Sequence, residues 1–188
     1  GSGILGTSYF QVEDKPFIMT EWTQKPPNQW KAEIAPLFAF YGMGLQGWDA
    51  SYKFTASQSY MGNGWPNLST YTAGTPHYMA QFPALASAIY QGHFDEGAPA
   101  VARRLSTNDI FQGIDAFTQD FAGGGYDPQQ PTGNLSYPSQ AFAIGRVSAK
   151  VADGQDPSYA CDYDQYVDWT HQVVESNTGQ LTWDYGNR

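Results

Sequence analysis

Positively charged residues are scarce in this sequence, and charged residues of either sign make up only 14% of it. Its 188 residues include 9 Lys or Arg against 18 Asp or Glu, which gives a formal net charge of −9. Because phosphate binding needs clustered Lys and Arg side chains, a nucleic-acid partner is excluded. Long apolar runs are also missing. None approaches the roughly 20 residues that span a bilayer, so no membrane partner is expected.

Cysteine is limited to Cys161, which excludes a disulfide framework and any multi-cysteine zinc or iron–sulfur site. His77, His93 and His171 are scattered, without the His-x-x-x-His spacing of a zinc site. No Gly-x-Ser-x-Gly pentapeptide occurs, so a serine hydrolase has no support. Neither a metal nor a cofactor is therefore expected.

Two further motifs have simpler explanations than a ligand site. Residues 42–47 match the Gly-x-Gly-x-x-Gly fingerprint of dinucleotide binding, but here a helix precedes the motif and a strand follows it, the reverse of what the fingerprint needs. Asp162, Asp164 and Asp168 could hold Ca²⁺ together with backbone oxygens. A solvated acidic face is the favoured interpretation, because the glycine-bearing loop of a calcium-binding hand is missing.

Aromatic residues are abundant, at 16% of the sequence (6 Trp, 13 Tyr and 11 Phe). This excludes a coiled coil or a disordered tail. An acidic, aromatic-rich and charge-poor composition is typical of secreted proteins that handle neutral polymers. We therefore expect an extracellular, periplasmic or cell-surface location in a bacterium. The sequence begins at Gly1 without Met and ends in a strand-like run, so both ends suggest cuts through a longer protein.

The first half of the sequence alternates strand-like and helix-like segments. Lys15–Glu21 is a short apolar run that ends in a carboxylate, as in a buried strand of a parallel sheet. Apolar residues at helical spacing predict a helix over 30–41, which Gly42 and Gly44 end, and a second short strand follows over 45–50. This order is the repeating unit of parallel barrels and open sheets.

A further helix is predicted from Thr75 to Tyr90, with Pro83 causing a kink or a late start. Beyond residues 92–99 the pattern changes to short strands separated by turn-rich spacers, which is typical of antiparallel, sandwich-like domains. The predicted strands are 100–105, 142–151 and 181–185.

Glu21 ends the first predicted strand and is followed at once by Trp22. In α/β barrels the chemistry lies at the carboxyl ends of the strands. A carboxylate there could attack an anomeric carbon as the nucleophile of a retaining glycosidase, while the adjacent indole stacks on the sugar. The alternative is a strand-end Glu that is bound by backbone donors or by a Lys.

Trp48 and Asp49 end the second predicted strand, and Tyr52 lies just beyond. Aromatic faces there suit pyranose rings, and the alternative is an aromatic plug that closes the core. Because consecutive strands of such a repeat are adjacent and parallel, we expect Glu21 and Trp48 to lie close together at the same mouth of the barrel.

Four segments of the first fifty residues form one pattern: Pro16–Trp22, Pro27-Asn28, Ala32-Glu33 with Pro36-Leu37, and Gly44–Asp49. Together they resemble the end of the catalytic barrel in glycoside hydrolase clan A. In that clan the nucleophilic Glu ends the seventh strand, and an aromatic residue, commonly Trp, ends the eighth. The resemblance implies that Glu21 is the nucleophile and Trp48 the sugar platform. Two later segments resemble the β-domain that follows such barrels in bacterial polysaccharide-degrading enzymes: Arg104–Phe111 and Ser176–Asp184.

The sequence departs from the clan at the acid/base, which is a Glu after Asn at the end of the fourth strand. No Asn-Glu dipeptide occurs here. Glu13 precedes the first strand, Glu33 falls on the following helix, and Glu96 lies between the two halves. None of them is expected about 5–5.5 Å from Glu21, the separation that a retaining mechanism needs. The acid/base is therefore expected in an upstream segment outside this chain.

The expected architecture is the C-terminal portion of a (β/α)₈ TIM barrel over residues 1–97, followed by an antiparallel β-sandwich-like accessory domain over 98–188. The expected activity is retaining hydrolysis of a β-linked polysaccharide or oligosaccharide, with agar- or galactan-type chains as the first candidates. Glu21 would be catalytic, and five residues would contact the carbohydrate: Trp22, Asn28, Trp48, Asp49 and Tyr52.

Two alternatives stay open. The first is a non-catalytic carbohydrate-binding protein that uses Trp22, Trp48 and Trp65 as exposed stacking platforms. The second is a purely structural fragment that completes a barrel and a sandwich without binding sugar at this site.

Overall fold

The structure is a computed structural model that describes residues 3–22, 28–53, 79–111, 137–151 and 158–186. The chain forms two compact units. We call Phe17–Gly44 together with Trp48–Phe94 the βα unit. The β unit comprises three segments: Gly1–Pro16, Leu45–Gly47 and Asp95–Arg188. A boundary at residue 97 therefore does not separate the units by itself, because the β unit also takes two short segments from the first half. The assignment of the halves to a barrel and a sandwich stays a prediction.

The βα unit contains the expected strand–helix–strand repeat. Strand β1 (Ile18–Trp22) is followed by helix α1 (Asn28–Leu37), a π-helical segment (Phe38–Leu45) and strand β2 (Ala50–Lys53). β1 and β2 pair in parallel, with Ile18 opposite Ala50 and Trp22 opposite Lys53. The predicted parallel pairing of consecutive strands is thus confirmed.

The second strand begins later than the predicted 45–50, because the two glycines do not end the helix. Gly42 and Gly44 lie inside the π-helical segment, where their missing side chains let aromatic rings approach. A Cβ on Gly42 would lie 2.6 Å from the Trp48 ring, and one on Gly44 would lie 3.0 Å from Phe94. The glycines therefore serve packing, and the strand starts only at Ala50.

Helix α2 (Phe82–Tyr90) has Pro83 in its first turn, where a backbone N–H has no intrahelical acceptor. Met79 is also helical, and residues 80–81 form a turn before Phe82. The interruption that Pro83 predicts is therefore present as a break just before α2. The earlier part of that prediction, from Thr75 to residue 78, lies outside the described residues.

The β unit contains a mixed sheet and a small meander. Strand β3 (Pro99–Leu105) lies between β4 (Arg146–Val151), to which it is parallel, and β5 (Tyr159–Ala160), to which it is antiparallel. Val12 adds a parallel bridge to Ala149 of β4. The expected antiparallel pairing therefore holds for β5 but not for β4.

The described residues between β3 and β4 include two short helices, α3 (Thr107–Phe111) and α4 (Ala141–Ile144). The predicted strand over 142–151 is correct only from Arg146 onward. All four residues of α4 are buried, and a short, fully buried apolar run does not reveal by periodicity whether it is a strand or a helix.

The meander consists of β6 (Val167–Asp168), β7 (Val173–Glu175) and β8 (Thr182–Asp184), paired antiparallel in that order. β8 confirms the strand predicted over 181–185. The described residues thus form a mixed α/β chain with parallel and antiparallel pairs.

The side chain of Gln46 is a buried polar group with hydrogen bonds at both its amide nitrogen and its amide oxygen, in the core of the β unit. It is 0% exposed. Its Nε2 donates to the carbonyl oxygens of Phe142 (2.8 Å) and Gly145 (2.6 Å), and its Oε1 accepts from the backbone N–H of Val147 at 3.0 Å. The Gln46 carbonyl accepts from Gln11 Nε2 at 2.8 Å. The Gln46 side chain thereby links α4 to the first residues of β4.

Candidate functional site

Glu21 is the penultimate residue of β1 and is exposed, whereas Trp22 beside it is 5% exposed. The strand register explains their placement. Met19 lies opposite Ser51 and Trp22 opposite Lys53, so β1 carries one extra residue between these pairs. Such β-bulges re-aim side chains and are frequent next to active sites. A bulge thus directs the Glu21 carboxylate to solvent at the carboxyl end of a parallel strand pair.

Trp22 lies in the core of the βα unit and does not present a sugar platform. Its ring stacks on Phe38 at 4.4 Å between centroids, and its indole N–H donates to Ser51 Oγ at 2.7 Å. Lys53 Nζ lies 5.9 Å from the same ring, within the range of a cation–π contact. The expectation of an exposed Trp22 is wrong, because the indole has both an aromatic partner and a hydrogen-bond acceptor inside the unit.

Trp48 is also a core residue, at 2% exposed, and packs against the rings of Phe17 (5.5 Å) and Phe38 (5.3 Å). The aromatic plug is therefore the interpretation that the structure supports. Trp48 precedes β2, whereas Glu21 lies near the carboxyl end of β1. The expectation that the two residues share one mouth is wrong, because β2 begins at Ala50 and not at residue 45.

Asp49 and Tyr52 keep exposed side chains on either side of the start of β2. The Asp49 carboxylate accepts a hydrogen bond from the Phe17 N–H at 2.8 Å. Tyr52 is 59% exposed. Asn28 begins α1, but its side chain lies outside the described residues, as does Trp65. Among the predicted aromatic contacts that the structure describes, Tyr52 is open to solvent, whereas Trp22 and Trp48 are buried.

A cavity of about 390 Å³ lies within the βα unit, between the two strands and helices α1 and α2. Among its lining residues are Trp22, Asp49 and Tyr52, and its remaining walls are largely apolar. Glu21 does not line it. The structure therefore brings three predicted contact residues to one cavity but places the predicted nucleophile elsewhere.

Of the three other glutamates considered for acid/base chemistry, two form ion pairs. Glu13 pairs with Arg104 at 2.9 Å and accepts from Ser148 Oγ at 3.2 Å. Glu96 lies 3.5 Å from Arg146. Glu33 is exposed on α1. The Glu13 carboxylate is therefore held by an ion pair and a hydrogen bond within the β unit.

The acidic residues near the meander bind neighbouring donors. Asp162 accepts from the Asp164 N–H at 3.3 Å, and Asp164 accepts from the Trp169 indole N–H at 2.7 Å. Asp168 accepts from the backbone N–H groups of Thr170 (3.0 Å) and His171 (2.9 Å). Among the described residues, no group of three or more His, Cys, Asp or Glu side chains could hold a metal ion. Burial also raises the pKa of the Cys161 thiol, so it is not an activated thiolate.

The stability of the β6–β7 turn is expected to depend on pH through the Asp168 carboxyl. Hydrogen bonds from the backbone N–H and then the side chain of His171 hold its pKa below its usual value. These bonds stabilise the β6–β7 turn above the unfolded-state pKa of about 3.9 and are lost as pH falls through the lower folded-state value. We expect the protection factors of the Thr170 and His171 amides, measured by NMR hydrogen exchange, to fall only below about pH 4. In Asp168→Asn this pH step should be absent, and a carboxyl that titrates at or above 3.9 would contradict the assignment.

In the part of the chain that the structure describes, no helix is long and apolar enough to cross a bilayer. No family model, curated protein or solved structure matches the chain. A functional assignment therefore depends on the chemistry of the residues themselves.

The sequence predicts neither the bulge in β1 nor the Ser51 acceptor, because a bulge leaves no recognisable pattern in a run as short as Lys15–Glu21.

Proposed function

We propose that this chain is part of a retaining glycoside hydrolase in which Glu21 is the nucleophile. One observation carries the proposal: an exposed carboxylate lies on a bulge near the carboxyl end of β1, which is parallel to β2. This is the end of a parallel strand at which α/β enzymes place catalytic groups. The resemblance of Pro16–Trp22 and Gly44–Asp49 to the last strands of clan A barrels supports the same role.

The proposed reaction proceeds in two steps. The Glu21 carboxylate attacks the anomeric carbon, and the glycosidic bond breaks as an acid protonates the leaving oxygen, which gives a glycosyl ester on Glu21. The conjugate base of that acid then removes a proton from water. The water attacks the anomeric carbon and releases the Glu21 carboxylate. Because Glu13 is paired with Arg104 and no Asn-Glu dipeptide occurs, we assign the acid/base to polypeptide outside these residues.

The burial of two tryptophans changes the expected substrate contacts. Trp22 and Trp48 hold the core, so stacking on the sugar falls to Tyr52, which is 59% exposed. Asn28 remains a proposed hydrogen-bonding group, whereas the Asp49 carboxylate already accepts a hydrogen bond from the Phe17 N–H. The purely binding alternative loses two of its three platforms among the described residues. The substrate class remains a β-linked neutral or sulfated polysaccharide, with agar- and galactan-type chains first, and the location remains extracellular, periplasmic or cell-surface.

Covalent trapping tests the proposal. The protein that carries this chain and its acid/base is incubated with 2-deoxy-2-fluoro-β-glycosides bearing a dinitrophenyl leaving group, and the labelled peptide is located by mass spectrometry. The fluorine slows both formation and hydrolysis of the glycosyl ester, and the dinitrophenyl leaving group restores the rate of formation. The glycosyl ester should therefore accumulate on Glu21. Glu21→Gln should take no label, and Glu33→Gln, an exposed carboxylate of α1, should be labelled like the wild type. A label on another carboxylate would exclude Glu21 as nucleophile.

A further inference from the structure

Asp49 and Phe17 bind each other twice at the start of the β1–β2 pair. The Asp49 carboxylate accepts from the Phe17 N–H at 2.8 Å, and the Asp49 N–H donates to the Phe17 carbonyl at 3.0 Å. The first paired residues of the two strands, Ile18 and Ala50, come directly afterwards. The carboxylate thus adds a side-chain hydrogen bond to the backbone at the point where the register begins.

A second side-chain hydrogen bond lies at the other end of β1. The indole N–H of Trp22 donates to Ser51 Oγ at 2.7 Å, across the bulge that contains Glu21. The two bonds join Phe17, which directly precedes β1, to Asp49, which directly precedes β2, and Trp22 of β1 to Ser51 of β2. The extra residue of β1 is therefore confined between two side-chain hydrogen bonds.

Side-chain hydrogen bonds add to the burial of Trp22 in setting the register of this short pair. Among the described residues, the β1–β2 ladder has three paired positions and an irregularity between them, and parallel pairing is slightly weaker per residue than antiparallel pairing. Ile18 is 46% exposed, so burial opposes a shift only weakly at that position. A slip of one residue moves every side chain to the other face of a strand, and would exchange the environments of Glu21 and Trp22.

We propose that Asp49 and Ser51 are positioning residues that set the register and the bulge of β1 and thereby aim the Glu21 carboxylate. This inference rests on the proposed role of Glu21. It gives Asp49 a different task from the carbohydrate contact expected from the sequence, because its carboxylate already accepts from Phe17. Asn can supply the same acceptor through its amide oxygen, and Ala cannot.

The first part of the test uses the 188-residue chain and NMR. In Asp49→Ala, exchange of the Phe17 amide should accelerate by about 5- to 10-fold, the loss expected for one hydrogen bond. Asp49→Asn should stay near the wild type. Ser51→Ala should shift the indole N–H resonance of Trp22 and accelerate its exchange. Asp95→Ala, an exposed carboxylate of the β unit, should change neither signal. Unchanged Phe17 protection in Asp49→Ala would overturn the proposal.

The second part measures the rate of Glu21 labelling by the fluoroglycoside in the protein that carries the acid/base. Asp49→Ala and Ser51→Ala should each slow labelling by about 10-fold or more, since small misplacements of reacting groups have effects of this size, while apparent affinity changes little. Asp49→Asn should restore the rate. Equal losses in Asp49→Asn and Asp49→Ala would show that the charge contacts substrate and would overturn the positioning role. If Glu21 of the wild type takes no label while another carboxylate does, the proposed function fails, and the NMR result still decides whether Asp49 sets the register.

Discussion

Gln46→Leu is expected to lower the free energy of unfolding of the β unit by about 3–6 kcal/mol. Leucine fills a similar volume but leaves the Val147 N–H and the carbonyl oxygens of Phe142 and Gly145 without the partners they have in the native protein. Each buried polar group left unpaired costs about 1–3 kcal/mol. A typical domain has only about 5–15 kcal/mol of stability, so the variant should be close to unfolding at 37 °C.

The measurement combines urea unfolding with amide exchange read at Val147. Gln91→Leu is the matched control, because Gln91 is exposed on the end of α2 and its amide donates only to Ser87; it should change stability by less than about 0.5 kcal/mol. Loss of protection in β3 and β4, with the Phe17 amide of the βα unit still protected, would locate the effect in the β unit. A loss below about 1 kcal/mol would mean that water replaces the amide without cost.

The role of Gln46 could not be predicted from the sequence. Its side-chain partners lie 96 to 101 residues away along the chain. A glutamine in a short apolar run gives no sign of its partners, because hydrophobic periodicity predicts which face is buried but not which distant carbonyl meets a given amide. The same limit applies to the membership of Leu45–Gly47 in the β unit.

Local pattern succeeded where neighbours along the chain decide the structure. The apolar run before Glu21 predicted β1, the helical spacing predicted α1, and Pro83 predicted the interruption just before α2. Each of these depends on residues within about four positions of one another, which is the range over which propensity and periodicity act.

Prediction failed where a side chain could serve either packing or binding. A Trp beside a carboxylate is compatible with a sugar platform and with a core plug, and the choice depends on whether another ring reaches it. Phe38 stacks on Trp22, and Gly42 makes room for Trp48. The sequence favours a helix end at this glycine, because the conformational freedom of glycine is visible in the sequence and the ring above it is not.

Glu21→Gln is expected to lower kcat/KM by at least about 10³-fold in the protein that carries this chain and its acid/base. Glutamine has nearly the shape of glutamate but cannot form the glycosyl ester, so the first step loses its nucleophile. Because Glu21 is exposed on a bulge and lies outside the core, the fold and the affinity for substrate should change little. Calorimetric titration with an oligosaccharide should therefore give a Kd within a few-fold of the wild type.

Chemical rescue separates loss of a nucleophile from loss of structure. In Glu21→Ala, azide can enter the space of the missing carboxylate and attack the anomeric carbon of a dinitrophenyl β-glycoside, with dinitrophenolate as the leaving group. The product should be the α-glycosyl azide, of inverted configuration, because one displacement replaces two. Glu33→Gln, on the exposed side of α1, should keep wild-type turnover without azide. If Glu21→Gln keeps more than about a tenth of the activity, Glu21 is not the nucleophile, since uncatalysed attack by water could not sustain that rate.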